Sequence, residues 1–235
     1  MKVIIAGSKK LGVSLATHNN PVLLRNAYAQ LLLQNRWPDV VAVYINGDAG
    51  DYKYIIDELV SEALRRDLRT IFKYDGFSVP HPLPHQVPLR MLLDADVDLY
   101  TKLDHDDLID TKHLGNLEDL MDDETDFAGN MLSNVLEVVP GKPVRYTPAM
   151  NWVWNPTQCA SDCTMFNKTA AIAFYRAMIQ SPNVPDDVAI ASVLPSLRVK
   201  LVKQAPTLTY VSHGYNTSGP IATNDLYIEQ LKEKQ

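Results

Sequence analysis

The chain has 235 residues, of which 46% are hydrophobic and 21% charged, a composition typical of a globular protein with a sizeable core. Its net charge of −6 offers no basic face of the kind that nucleic-acid binding requires. Nowhere do the roughly 18 to 20 uninterrupted apolar residues of a membrane span occur, and the opening MKVIIAGSKKLG lacks the full apolar segment of a signal peptide, so the sequence predicts a cytoplasmic protein.

The first half of the chain alternates predicted strands and helices. Residues 12–17, GVSLAT, predict a short strand that ends at HNNP, where Asn20 can cap and Pro21 can open a helix. Residues 39–46, DVVAVYIN, predict a second strand, and the apolar spacing that follows predicts a helix from about Tyr54 to Arg66. RTIFKY and DLYTKL then predict a third and a fourth strand.

This alternation is typical of βαβ units, so the fold class predicted is α/β with a mainly parallel sheet. Ligands of such sheets bind in the crevice at the carboxyl ends of the strands. The sequence LDHDD follows the fourth predicted strand directly. Asp104, Asp106 and Asp107 are therefore expected where this class of fold keeps its chemistry.

The pattern loosens in the second half. Residues 126–163 contain no long periodic segment and predict a hairpin or binding loops. Helices are expected from Lys168 to about Ile179 and from Asp187 to about Leu194, followed by one or two strands through RVKLVKQAPTLTYVS. Cys159 and Cys163 have no second pair to complete a zinc site, so buried thiols are predicted.

The carboxylate cluster has two interpretations. Like charges a few ångströms apart repel unless a cation lies between them, and Mg²⁺ or Mn²⁺ accepts one or two carboxylates while phosphates and water complete its coordination. Alternatively, Asp106 and Asp107 only cap a helix that begins near Thr111, or form an exposed turn. The spacing alone leaves both interpretations open.

Two stretches resemble the GT-A-fold glycosyltransferases of the family 2 type. LGVSLATHNNPVLLRNAYAQLLLQN resembles the family's first strand, its turn, and a helix that closes on a glutamine, and ADVDLYTKLDHDDLID resembles its strand running into the DXD-type motif Leu-Asp-x-Asp-Asp. The matching positions are Thr17, His18, Asn19 and Gln34 in the first stretch and Leu103, Asp104, Asp106 and Asp107 in the second.

The resemblance implies one GT-A-type domain over residues 1–235, with an open, mostly parallel twisted sheet flanked by helices on both faces. Residues 12–125 would form the donor-binding half and residues 126–235 the half that binds the acceptor and supplies the catalytic base. The implied enzyme is an inverting hexosyltransferase that moves a sugar from a nucleotide-diphosphate donor to a hydroxyl acceptor with Mn²⁺ or Mg²⁺. A glycan, a lipid-linked precursor or a protein would be the acceptor; charge disfavours a nucleic acid, and peripheral membrane contact is left open.

The resemblance also assigns the metal and ribose contacts. Asp104 would face the ribose of the donor and Asp106 the metal ion. YVSHGYNTSG places His213 after an apolar strand, where some members of the family supply a further metal ligand. A lone histidine is more often structural or exposed, and that alternative stays open.

The remaining donor contacts come from the ends of the first two strands. Thr17 and Asn19 would belong to the nucleotide-binding turn. YINGDAGD resembles the family's acidic turn that holds the base, where Asn46 and Asp48 compete for the role and Asp48 is favoured.

An acidic pair near residue 186 is the candidate for the catalytic base. NVPDDVAIASVL resembles the family's pair at the start of a helix, whose second member, here Asp187, takes the proton from the acceptor hydroxyl, with Asp186 as a candidate acceptor contact. The amino terminus of a helix favours an ionised carboxylate. Pro-Asp-Asp before an apolar helix is also a capping signal by itself, so this alternative remains.

Two further segments are candidates for substrate contacts. Trp152 and Trp154 alternate at strand spacing and would share one face, as a platform for a sugar ring or as part of the core. The proline-rich VPHPLPHQVP, which contains His81 and His85, is predicted to be a loop over the donor.

Two other functions are weighed against sugar transfer. A sugar-1-phosphate nucleotidyltransferase would share the sheet, but that class opens with a glycine-rich loop bearing Arg and Lys, whereas this chain has ATHNNP after its first strand. A non-catalytic protein that binds a nucleotide sugar or a glycan would need the acidic pair only as a helix cap.

Overall fold

The computed structural model describes residues 9–18, 20–47, 52–74, 83–139, 141–151 and 161–213. Strands alternate with helices through the first half of the chain. The helices described are α1 (Pro21–Leu32), α2 (Lys53–Arg65), α3 (Leu83–Asp94), α4 (His113–Glu118), α5 (Lys168–Gln180) and α6 (Asp186–Val193). The strands described are β1 (Leu11–His18), β2 (Val40–Asn46), β3 (Arg69–Tyr74), β4 (Leu99–Asp104), β5 (Leu108–Ile109), β6 (Phe127–Asn130), β7 (Leu132–Glu137), β8 (Arg145–Asn151), β9 (Thr164–Asn167), β10 (Val199–Val202) and β11 (Leu208–Ser212).

The larger sheet has seven strands in the order β10-β6-β9-β4-β1-β2-β3. Strands β3, β2, β1 and β4 run parallel, while β9 is antiparallel to both β4 and β6. The chain moves outward from β1 to β2 and β3, then returns to place β4 on the other side of β1. The strand order therefore reverses beside β1, which creates the crevice where open α/β sheets bind ligands.

The smaller sheet has four strands in the order β5-β11-β7-β8. Strands β7 and β8 form an antiparallel hairpin, which confirms the hairpin predicted within residues 126–163. Strand β11 runs parallel to β7 and antiparallel to β5. This sheet therefore connects the second half of the chain to the segment that follows β4.

Two apolar layers cover the faces of the larger sheet. Leu11, Val13 and Leu15 of β1 lie in the layer that contains α1 and α2. The opposite layer contains α3, α5 and α6 and is centred on Phe174, whose ring lies 4.9 Å from that of Phe166. Because both faces are covered, β1 and β2 are buried along almost their whole length and consist mostly of apolar residues, as expected of buried parallel strands.

The predicted strands and helices agree with the structure to within a residue or two at most ends, but the proline-rich segment does not. Residues predicted to form a loop include the first half of α3, which holds His85 and has Pro88 inside it. Leu89 and Leu92 pack into the apolar layer, and this burial outweighs the cost of one proline. The loop prediction was therefore wrong from residue 83 onward, while His81 lies outside the described residues.

Two other expectations concern the thiols and the membrane. Cys163 is buried and carries a thiol, as predicted, whereas Cys159 lies outside the described residues. Within the part of the chain that the structure describes, no helix is both long enough and apolar enough to cross a bilayer. The division into donor and acceptor halves stays a prediction.

Gly12 allows α3 to approach β1 closely. A Cβ atom on Gly12 would lie 2.9 Å from Leu92 Cδ2 and 2.9 Å from Val97 Cγ2, well inside van der Waals contact. We expect Gly12→Ala to lower the free energy of unfolding by about 1 to 3 kcal/mol through overpacking. Urea unfolding measures the change.

The matched control is Gly115→Ala in α4. Its Cβ atom would lie 3.7 Å from Arg36 Cβ, so there is room for the methyl group. Alanine also favours a helix over glycine by about 0.5 to 1 kcal/mol, so this variant should be as stable as the wild type or more so. Equal losses in the two variants would contradict the close-approach argument.

Candidate active site

The predicted acidic motif lies at the reversal of strand order. Strand β4 ends at Asp104, which pairs in register with Ala16 of β1, while His18 at the end of β1 pairs with Asn46 of β2. The carboxyl ends of three adjacent parallel strands therefore meet here. This is the crevice in which the sequence placed its carboxylates.

A buried lysine accompanies Asp104 on the same face of β4. Side chains alternate along a strand, so Lys102 and Asp104 both face the layer formed by α3, α5 and α6. Lys102 Nζ lies 3.2 Å from Asp104 Oδ2, 3.0 Å from Asp186 Oδ2 and 3.9 Å from Asp162 Oδ1. One ammonium group thus joins the end of β4 to two distant parts of the chain.

Lys102 keeps its charge in spite of its burial. Its side chain is only 12% exposed, and the loss of hydration by itself would lower its pKa. The attraction of Asp104, Asp186 and Asp162 is larger in sum and raises the pKa of Lys102 well above its ordinary value. The site therefore holds a permanent internal cation.

Asp106 and Asp107 both turn toward β11, not toward a helix. Asp106 Oδ2 lies 2.9 Å from His213 Nε2, and Asp107 Oδ1 accepts a hydrogen bond of 3.0 Å from the Val211 N–H. Helix α4 has Lys112 at its N-cap position and no side-chain cap. The alternative in which Asp106 and Asp107 cap the next helix is therefore wrong, and Asp107 at 3% exposure forms no exposed turn.

Asp107 is a carboxyl group whose pKa is shifted by its surroundings. Burial, together with the charges of Asp162, Asp104 and Asp106, raises the pKa of Asp107 well above its ordinary value, and the hydrogen bond from Val211 offsets this only in part. The carboxyl group thus favours its neutral form, and its contact with the backbone of β11 gives it a structural role.

Asp162 belongs to the site although the sequence analysis did not select it. It lies in a 3-10 turn, Ser161–Cys163, and is 1% exposed. Its Oδ2 accepts a 2.6 Å hydrogen bond from the backbone N–H of Asp104, and thereby fixes the last residue of β4. The two residues are 58 positions apart, and no spacing pattern links them in the sequence.

His113 holds Asp162 in place through a hydrogen bond to its backbone. His113 Nε2 donates to the carbonyl oxygen of Asp162 at 2.9 Å, which leaves Nδ1 to accept from Thr207 Oγ1 at 2.8 Å. Burial lowers the pKa of His113 to about 4, so the imidazole is neutral near pH 7. This histidine is a structural element of the site.

The acidic pair begins α6, and its two members differ in exposure. Asp186 is 7% exposed and faces Lys102, with His85 Nδ1 of α3 at 3.9 Å from the same Oδ2. Asp187 is half-buried, and its Oδ1 accepts a 2.8 Å hydrogen bond from the Val188 N–H. This bond engages an amide of the first turn, but Pro185 is the N-cap residue and α6 has no side-chain cap, so the capping alternative is not what the structure has. The assignments of Asp187 as base and Asp186 as acceptor contact stay predictions.

The turn after β1 is fixed by a buried tyrosine. Thr17 is 2% exposed and its Oγ1 lies 3.3 Å from the Tyr52 hydroxyl, which accepts a 2.7 Å hydrogen bond from the Asn20 N–H. Asn20 caps α1 through a 3.1 Å hydrogen bond from the Leu23 N–H, as predicted. Of the other predicted contacts, Asn19, Asp48, Trp152 and Trp154 lie outside the described residues.

Gln30 of α1 and Gln34, two residues after its end, hold the loop that follows the motif. Gln30 donates to the carbonyl oxygen of Asp107 at 3.2 Å and accepts from the Ile109 N–H at 2.7 Å. Gln34 donates to the carbonyl oxygen of Asp110 at 2.9 Å and accepts from the Leu114 N–H at 3.0 Å. Gln34 matches the family pattern in the sequence, whereas no sequence motif marks Gln30.

Among the described residues, the side chains near the motif suit a divalent cation that is shared with a substrate. In the described ranges, no group of three or more His, Cys, Asp or Glu side chains is arranged to hold a metal ion. Asp106 and His213, 2.9 Å apart, offer two ligands of suitable chemistry. Mg²⁺ is commonly held by one or two carboxylates plus substrate phosphates, so this pair fits a metal shared with a diphosphate.

No protein-family model and no curated protein matches the chain. Several solved structures do match it. S. aureus TarS matches with a TM-score of 0.56 and 13% identity over 86% of this chain and 36% of TarS. Its fragment of residues 1–349 in complex with UDP matches with a TM-score of 0.58 and 13% identity, over 86% of this chain and 60% of the fragment.

Two other solved structures match from different organisms. The mannosyltransferase PcManGT from Pyrobaculum calidifontis, in complex with GDP-Man and Mn²⁺, has a TM-score of 0.57 and 11% identity over 91% of this chain and 59% of its own. The 4-diphosphocytidyl-2C-methyl-D-erythritol synthase from Anaerococcus prevotii DSM 20548 has a TM-score of 0.55 and 15% identity over 83% of this chain and 87% of its own.

These likenesses concern the fold. The identities are low, and the chain spans less than two thirds of the length of TarS and of the mannosyltransferase. The TM-scores of 0.56 and 0.57 nevertheless show a shared fold, and this chain has a seven-stranded, mostly parallel sheet with helices on both faces, so the fold implied by the sequence resemblance is confirmed. The chain has the GT-A fold found in glycosyltransferases that use nucleotide sugars.

Proposed function

We propose that the protein is a glycosyltransferase that transfers a sugar from a nucleotide-diphosphate donor to a hydroxyl acceptor with inversion, assisted by a divalent cation. The observation that carries the proposal is the position of Asp104 and Asp106 at the carboxyl end of β4, beside the reversal of strand order in a GT-A sheet. Fold alone does not fix function, so the proposal depends on this site.

The charge balance of the site supports the cation. Within the described residues, five carboxyl groups gather around one lysine and two histidines. The carboxyl groups belong to Asp104, Asp106, Asp107, Asp162 and Asp186, the lysine is Lys102, and the histidines are His85 and His213. Even with Asp107 neutral, this excess of negative charge would repel a diphosphate. Mn²⁺ or Mg²⁺ at Asp106 and His213 would reverse the repulsion and would stabilise charge on the departing diphosphate.

The proposed roles of the other residues follow the sequence resemblance. Asp104 contacts the ribose of the donor, and Asp187 takes the proton from the attacking hydroxyl. Thr17, Asn19 and Asp48 belong to the nucleotide site, while Trp152, Trp154 and Asp186 are candidates for contacts with a glycan, lipid-linked or protein acceptor. Thr17, at 2% exposure, can serve the nucleotide mainly by shaping the turn. The cytoplasmic location stays a prediction.

A nucleotidyltransferase is the second candidate function. The synthase from Anaerococcus prevotii supports it, because the match covers most of both chains. Against it, the turn after β1 reads ATHNNP and lacks the glycine-rich loop with Arg and Lys that this class uses. The products separate the two: a sugar transferase releases a nucleoside diphosphate, whereas a nucleotidyltransferase acting on a nucleoside triphosphate releases pyrophosphate.

Titration calorimetry with UDP, GDP, CDP and dTDP, each with and without Mn²⁺, tests the donor site. We expect one nucleotide to bind in a Mn²⁺-dependent manner, and we expect the double variant Asp104→Ala, Asp106→Ala to weaken that binding at least about tenfold, since the loss of even one metal-bridged contact exceeds about 1.4 kcal/mol. The control pairs Asp94→Ala with Asp123→Ala, two exposed aspartates that form surface ion pairs.

The control should bind like the wild type. If none of the four nucleotides binds to the wild type, the glycosyltransferase proposal is wrong. Binding without turnover across a broad set of acceptors would instead favour the non-catalytic binding protein.

A further inference from the structure

We propose that Lys102 is a positioning residue, which docks the first turn of α6 against the end of β4 and thereby sets the place of Asp187 relative to Asp104. This inference rests on the proposed function, because it concerns the same site. Its basis is one ammonium group that contacts Asp104 Oδ2 at 3.2 Å and Asp186 Oδ2 at 3.0 Å at the same time. Asp186 is the first residue of α6, and Asp187 is the second.

The ion pair between Lys102 and Asp186 sets the position of α6 relative to β4, because side chains do not fill the space around it. A cavity of about 20 Å³ borders Lys102 and Asp186, and His85 of α3 also lines it. This volume holds roughly one water molecule, so side chains do not fill the gap there. Helix α6 packs mainly on α5, and apolar packing therefore leaves the separation between its first turn and β4 to the polar contacts.

Removal of the Lys102 ammonium group would replace the attraction between α6 and β4 by repulsion. Asp104, Asp162 and Asp186 would face one another without their shared cation, in a buried position where carboxylates repel strongly. The first turn of α6 would then move away from β4. A catalytic group misplaced by about 1 Å can cost about 100-fold in rate, so a small movement of Asp187 is enough to matter.

The same geometry predicts which kinetic constant changes. Asp186→Asn removes the charge at the α6 end, so the ion pair becomes at most a weaker hydrogen bond to the amide oxygen, and Lys102 stays next to Asp104 and Asp162. We expect this variant to lower kcat at least tenfold while the dissociation constant of the nucleotide found by calorimetry stays within threefold. Lys102→Met should lower kcat by a similar factor, because it removes the same contact from the other side.

A double-mutant cycle tests whether the two residues act through one contact. If they do, the variant that carries both changes has a kcat no lower than threefold below the worse single variant. Independent roles would multiply the two losses. Lys168→Met, which breaks an exposed 2.6 Å pair with Asp96, is the matched control and should leave kcat unchanged.

Hydrogen exchange provides a readout that does not depend on turnover. Amides in the first turns of α6 should exchange at least tenfold faster in Asp186→Asn than in the wild type, while those of α5 stay unchanged. If the wild type turns over no donor, the proposed function fails, yet exchange still tests the docking. If Lys102→Met does not fold, the isosteric Asp186→Asn still decides the question.

Three results would overturn the inference. The first is unchanged exchange in α6 of Asp186→Asn. The second is losses of kcat that multiply in the double variant. The third is a higher KM for the acceptor with unchanged kcat in Asp186→Asn, which would make Asp186 a direct contact to the acceptor.

Discussion

Replacement of Asp187 by asparagine is expected to lower kcat for sugar transfer by about 10²- to 10⁴-fold, the usual contribution of a general base. Asparagine keeps the size of the side chain and can still accept the hydrogen bond from the Val188 N–H, so α6 should remain intact. Initial rates of nucleoside diphosphate release, measured with saturating donor and acceptor, give the change.

The affinity for the nucleotide separates the proposed role from damage to the fold. Calorimetry should give the same dissociation constant for Asp187→Asn and for the wild type, because the base acts on the acceptor hydroxyl. Asp57→Asn, an exposed aspartate on α2, is the matched control and should retain full kcat. Transfer that persists undiminished in Asp187→Asn would remove this residue from the base role and leave it as part of the first turn of α6.

Replacement of His113 by leucine is expected to lower the free energy of unfolding by about 1 to 3 kcal/mol near pH 7.5, because the buried carbonyl oxygen of Asp162 loses its donor. Leucine is close to histidine in volume, so the loss reports the hydrogen bonds more than a cavity. Urea unfolding measures it. His105→Leu, at a half-buried position in the turn after β4, is the control and should change stability less.

The effect of His113 should depend on pH. The pKa of His113 is about 4 in the folded protein and 6.5 for an ordinary histidine. Between these two pH values the unfolded chain therefore carries a proton on His113 that the folded protein does not. The contribution of neutral His113 to the free energy of unfolding is therefore fully present above pH 6.5 and is lost as the pH falls toward 4. At about 1.36 kcal/mol per pH unit, the loss is about 2 to 3 kcal/mol by pH 4.5.

The leucine variant lacks this titration. The difference in stability between wild type and His113→Leu should therefore shrink by about 2 to 3 kcal/mol between about pH 7.5 and about pH 4.5. A difference that stays constant with pH would show that His113 titrates alike in the folded and unfolded protein, and that its neutral form is not imposed by burial.

The sequence predicts the strands of the sheet well for a physical reason. Because β1 and β2 are buried on both faces, they consist mostly of apolar residues, and the turn residues around them mark their ends. The carboxyl ends of such strands meet at one edge, so the position of Asp104 could be predicted without coordinates. Helix α3 was missed because Pro88 and its neighbours suggested a loop, and only burial of Leu89 and Leu92 overrides that local preference.

The missing parts of the candidate site are those that depend on contacts distant in sequence. Asp162 reaches Asp104 across 58 residues, and His113 reaches Asp162 across 49, so neither has a periodic or local signature. Lys102 lies within the motif region but resembles an ordinary charged residue until α6 is docked beside it. Its importance arises from the tertiary fold, which places three carboxylates around a single strand position.

Gln30 of α1 and Gln34 just after it have a consequence for how this site can vary. Gln30 and Gln34 bind the loop after the motif only through its main-chain atoms, from the carbonyl oxygen of Asp107 to the N–H of Leu114. Every amino acid except proline presents the same main-chain groups. The shape of the loop is thus encoded in a neighbouring helix, and its outward side chains, such as those of Leu108 and Thr111, are open to substitution without loss of that shape. A scaffold of this kind can acquire new surface chemistry next to its acidic motif while the motif keeps its geometry.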